Sequence, residues 1–78
     1  MTREEIAAMT LDDLAALKQR TVGTAITAHF LEMDRFNVTL MARQKALPMP
    51  EGSYYFSGNR LHVVKDSILR IFHYGGVT

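Results

Sequence analysis

The sequence predicts an α+β fold: helices through about residue 47, then a C-terminal three-stranded antiparallel β-meander packed against them. Three observations lead there. Between Thr21 and Leu47 apolar side chains recur at steps of three and four, the spacing of one stripe on an α-helix. Pro48-Met49-Pro50-Glu51-Gly52 then ends that pattern, because each proline disfavours helix for the residue before it and Gly52 permits a turn. Beyond Gly52 the chain turns rich in Tyr, Phe, Val and Ile, grouped around Gly58-Asn59. At 78 residues the chain is read as a single domain, with a helical segment over residues 1–47, a linker over 48–52 and a meander over 53–75.

Thr2-Arg3-Glu4-Glu5 is a capping-box pattern, in which a hydroxyl and a carboxylate three residues on satisfy the free N–H groups of a helix start. Thr10-Leu11-Asp12-Asp13 repeats it, so a short helix over about 3–9 and a restart at 11 are expected. Leu11, Leu14 and Leu17 share one face of the second piece. Lys18 and Arg20 suit its C-terminus.

The next stretch is predicted as one long helix, about 21–47, with a break or kink preferred near Gly23. Its stripe runs through Val22, Ile26, His29, Met33, Phe36, Leu40 and Leu47, with a second, looser strip at Leu31, Val38, Met41 and Ala42. A helix apolar on two sides needs two partners. Unbroken, it would span about 40 Å, whereas a domain of this size is only about 30 Å across. These observations point to a homodimer, with Val22, Ile26, His29, Met33, Phe36 and Leu40 at the dimer interface.

In the meander, strands are expected at 53–57, 60–64 and 68–74. Gly58-Asn59 is a two-residue hairpin loop, where positive φ is needed. That loop sets Phe56 opposite Leu61 and Tyr54 opposite Val63, and a three-residue second loop adds Leu69, Ile71 and His73 to the same, core-facing side. A rival reading makes 67–74 a short helix, capped by Asp66 and ended by Gly75; its β-branched and aromatic content argues for the strand. The outer side collects Tyr55, Ser57, Arg60, His62, Arg70, Phe72 and Tyr74. Aromatics beside arginines suit binding hot spots and also base stacking, so Tyr55, Arg60, His62, Arg70, Phe72 and Tyr74 are the expected partner-binding residues.

Net charge is +1, far from the basicity that announces nucleic-acid binding. The front of the chain, with Glu4, Glu5, Asp12 and Asp13, is nevertheless acidic and the back mildly basic. There is no cysteine, and His29, His62 and His73 show no ligand-type spacing, so no metal and no cofactor are expected. No nucleophile motif, phosphate loop or dinucleotide fingerprint is present, which argues against an enzyme. The N-terminus lacks a signal-peptide run and no segment is long enough to cross a membrane; a cytoplasmic location is expected. By analogy of architecture, helices followed by a compact sheet occur among small regulatory and adaptor proteins, some of them encoded by phages and plasmids. The function expected is therefore a non-enzymatic protein-binding regulator or inhibitor of a larger macromolecule that acts by covering a surface. The alternative is a nucleic-acid-binding regulator using the Arg/aromatic sheet face.

Overall fold

Both capping signals start helices in the computed structural model, which describes residues 2–74. Helix α1 is Arg3–Ala7 and α2 is Leu11–Ala16. In each, the threonine hydroxyl accepts the N–H three residues on, at 3.1 Å for Thr2 and 3.2 Å for Thr10. The carboxylates of Glu5 and Asp13 reach back to the threonine N–H groups at 3.0 and 2.9 Å. Helix α2 stops where Leu17 turns extended, and Lys65 donates its ammonium to the freed carbonyls of Ala15 and Leu17.

Thr21–Val22 forms a two-residue strand, β1, before α3 (Thr24–Leu31) and α4 (Arg35–Arg43). The break preferred near Gly23 is present: Gly23 is the N-cap of α3. A second break, at residues 32–34, divides the expected long helix. Glu32 adopts a left-handed conformation with φ 55°, and the Met33 N–H closes back onto the Ala28 carbonyl at 3.0 Å. Asp34 then caps α4, its carboxylate accepting the Phe36 N–H at 3.1 Å. Length gives the physical reason for dividing the helix. The molecule measures 30 × 30 × 21 Å, too small to bury a straight helix of about 40 Å.

Strands β2 (Tyr54–Ser57) and β3 (Arg60–Val64) make the hairpin in the expected register, with Phe56 opposite Leu61 and Tyr54 opposite Val63. Gly58 takes φ +63°, as the tight loop requires. The sheet is three-stranded and antiparallel, as expected, but its third strand is β1, in the order β1-β3-β2. Thr21 and Val22 pair with Val64 and Val63 and so occupy the edge that a strand over 68–74 would have used. The chain continues from β3 directly into helix α5, Lys65–Ile71, close to the rival reading of that segment. Asp66 lies in its first turn, where negative charge is favoured, and Ile68 is fully buried. Tyr54, Phe56, Leu61 and Val63 keep the inner face of the sheet; Leu69 packs on the core from a helix, Ile71 ends that helix half-buried beside Pro50 and Ser53, and His73 follows it.

Helices α3 and α5 both pack on β3, α2 packs on α5, and α1 packs on α3. The core gathers Leu14, Val22, Ile26, Val38, Leu61, Val63 and Ile68 from six elements. Val38 and Ala42, from the looser strip, are the residues of α4 that point inward. Among the described residues, no helix is long and apolar enough to cross a membrane. Leu14 and Ile68, both with no exposed surface, should each cost about 2–5 kcal/mol on truncation to alanine. Tyr55→Ala, on the open side of the sheet, should cost well under half as much in urea melts. Equal losses would contradict the packing of α2 on α5.

Candidate nucleic-acid interface

A three-residue turn between α3 and α4 leaves the two helices packed together, with α4 on the outside. The sequence of α4, Arg-Phe-Asn-Val-Thr-Leu-Met-Ala-Arg, contains no acid. Val38 and Ala42 anchor one side, so Phe36, Asn37, Leu40, Arg43 and the following Gln44 share the other, which is open. Phe36 is 72% exposed and Leu40 42%. The Arg43 guanidinium lies over the Phe56 ring at 4.8 Å, which ties the end of α4 to the sheet.

Arg35, at the start of α4, meets the hairpin across a cleft of about 540 Å³. Arg60 and His62 line it from β3, and Gly23, Thr24 and Ala25 from the start of α3. No carboxylate lines the cleft. Gly23 offers the start of α3 no side-chain cap, so the N–H groups of that first turn add positive partial charge. Beyond the cleft, Tyr55 stacks on His62 across the strands, ring centroids 5.1 Å apart and planes 17° apart. Lys18 and Arg20 flank Tyr55 on the far side of β1. The acids at the front of the chain lie elsewhere, in the first turns of α1 and α2. Asp66 lines the same recess as Lys18, Arg20 and Tyr55, and Glu32 and Asp34 form the turn before α4.

Of the six expected partner-binding residues, Tyr55, Arg60 and His62 do share the outer face of the sheet. Arg70, Phe72 and Tyr74 do not, because their segment is helical. Arg70 is exposed on α5 and Phe72 packs toward Phe30 with centroids 6.4 Å apart. The Tyr74 hydroxyl donates to the Asp12 carboxylate at 2.6 Å. The six expected interface residues also divide. Val22 and Ile26 belong to the core, 2% and 8% exposed. His29 is half-buried, its Nε2 bonded to the Met9 carbonyl at 2.8 Å, and Met33 is half-buried in the turn. Only Phe36 and Leu40 remain available on a surface. Sequence reasoning missed Arg35, Asn37 and the cleft. The signal was Asp34, a good N-cap immediately before a helical stretch.

Among the described residues, no group of three or more His, Cys, Asp or Glu side chains is placed to hold a metal ion. Compared with protein-family models, curated proteins and solved structures, the chain matches none.

The hydrogen bond to Asp12, and then burial, hold the Tyr74 phenol above its ordinary value of 10.0. A raised value means that folding favours the protonated phenol. Its contribution is complete below the ordinary value and is lost as pH rises through the raised one. Ultraviolet titration of the native protein should therefore show phenolate formation extending to higher pH than in Tyr74→Phe. The variant should also lose less stability above pH 10. Superimposable titration tails would contradict the bond between α2 and the end of the chain.

Proposed function

We propose that this chain is a non-enzymatic nucleic-acid-binding regulator that lays α4 in the major groove of double-stranded DNA. The observation that carries the reading is the α3–turn–α4 unit, with the second helix presented outward and free of acids. A turn of three or four residues also joins the two helices of a helix-turn-helix, in which the first residues of the second helix touch base edges. The analogy is one of local architecture, and chemistry at the site supports it. Asn37, on the outward face, supplies an amide suited to an adenine edge. Arg35 and Arg60, which line the cleft beside α4, would neutralise phosphates along the groove. The sheet face with Tyr55 and His62 becomes a flank of this surface.

A second reading rests on Phe36 and Leu40. An exposed apolar pair one helical turn apart suits a protein partner or a second copy of the chain, and so a regulator or inhibitor that covers a macromolecular surface. Salt separates the readings. Duplex affinity should fall steeply as salt rises, because phosphate neutralisation releases counterions, whereas an apolar protein contact should hold.

With a random-sequence duplex pool and anisotropy as the readout, Arg35→Ala and Arg60→Ala should each weaken binding and lower the salt slope by about 1. Asn37→Ala should cost about 1–3 kcal/mol on the preferred sequence and little on others. A salt-independent affinity, or none for duplex together with a dimeric mass by light scattering, would favour the second reading.

A further inference from the structure

Between residues 50–53 and helix α5 lies a recess of about 370 Å³. The most buried residue that lines it is Ser53, 4% exposed. The backbone of Ser53 is held on both sides: its N–H bonds the Pro50 carbonyl at 3.1 Å, and its carbonyl accepts the Val64 N–H at 2.7 Å. Alanine would keep both bonds. The Ser53 hydroxyl meets no hydrogen-bond partner among the described residues, where no fully buried side-chain oxygen lacks one. The little surface that Ser53 retains is therefore at its hydroxyl, and it opens on the recess. Ser67 and Arg70, one helical turn apart on α5, bring a second hydroxyl and a guanidinium to the same place. Glu51 brings a carboxylate from the facing turn, and no ion pair joins it to Arg70. Pro50 and Ile71 supply apolar surface. Asp66, beside Ser67, lines a different recess with Lys18 and Arg20, and Glu51 also borders the groove that holds Lys45. The recess itself carries one positive and one negative group.

We propose that this recess binds a free α-amino acid with a small apolar side chain. Charge decides the class. A simple anion drawn to Arg70 would be repelled by Glu51, and a simple cation drawn to Glu51 would be repelled by Arg70. An α-amino acid carries both charges. Its carboxylate takes the paired donors of the guanidinium, and its ammonium donates to Glu51. The hydroxyls of Ser53 and Ser67 can each donate and accept, so they complete the bonds that the charged groups leave open. The ligand's side chain gains by leaving water against Pro50 and Ile71. The volume lies near the lower end for small-molecule pockets, enough for a single residue. Ser53 is already fixed by its backbone, so binding spends little on ordering it. The recess shares no residue with α4 or the cleft, and it stands or falls separately from the DNA-binding reading.

The test is titration of the isotope-labelled protein with L-valine, followed by amide chemical shifts. N-acetyl-L-valine, which lacks the ammonium, and L-valinamide, which lacks the carboxylate, serve as controls. Saturable shifts are expected at residues 51–53 and 67–71 with valine. Each control should bind at least roughly tenfold more weakly, the loss of one charge-assisted hydrogen bond. Ser53→Ala should weaken valine binding about three- to tenfold with unchanged circular dichroism. Arg70→Gln, at an exposed position, should bind valine and valinamide alike. No saturable shift below ~10 mM valine would overturn the proposal. So would equal binding of valine and either control, shifts confined to other residues, or undiminished affinity in Ser53→Ala. Should Ser53→Ala fail to fold, the comparison of valine with valinamide in Arg70→Gln decides alone, and a retained preference for valine overturns the site.

Discussion

Val63 is the residue around which this molecule is assembled. It lies opposite Tyr54 on one side and Val22 on the other, with no exposed surface. A two-residue strand has little stability of its own, so β1 depends on the edge that β3 offers. In return, the pairing of Val22 with Val63 carries residue 22 to the hairpin and delivers Gly23, the start of α3, beside residues 59–62. The cleft between Arg35 and Arg60 follows from that closure. Immediately after β3, the Lys65 N–H bonds the Arg20 carbonyl at 3.0 Å while its ammonium caps α2, so one residue secures both ends of the 17–20 connection.

The second constraint is the length of the helical stretch against the size of the core. Glu32 and Lys45 take left-handed conformations at the ends of α3 and α4, with φ 55° and 56°. The Met33 and Ala46 N–H groups each close back onto a carbonyl five residues earlier. For residues with a Cβ that conformation costs about 1–2 kcal/mol each, which the closing hydrogen bonds and the fit of the helices offset. The break also resets the helical phase. Ile26, before it, faces the core, while Phe36, on the same predicted stripe, faces out.

Features governed by chemistry within a few residues were legible in the sequence. The two capping boxes, the break at Gly23, the hairpin loop and its register all depend on neighbours, and each is found where local rules put it. The α+β class followed from the same signals. What local rules could not supply was competition for the edge of β3. Residues 68–74 carry side chains that suit a strand, but Thr21 and Val22 reach that edge, and Asp66 favours a helix start. A two-residue strand is too short to leave a pattern. The turn at 32–34 was hidden because no glycine marks it and the apolar spacing runs straight through. Half of the expected sheet face survived, Tyr55, Arg60 and His62 on β2 and β3; the other half went with α5. The outward face of α4 was present as residues but not as a surface, since its exposure depends on the direction in which the turn at 32–34 sends the helix.

If α4 and the adjoining hairpin form one nucleic-acid-binding surface, amide chemical shifts followed during titration with duplex DNA will reveal it. Shifts are then expected to concentrate at residues 23–25, 35–44 and 58–62, with the amides of α1 and α2 unmoved. Shifts confined to α1 and α2, or no shifts at any duplex concentration, would contradict that surface.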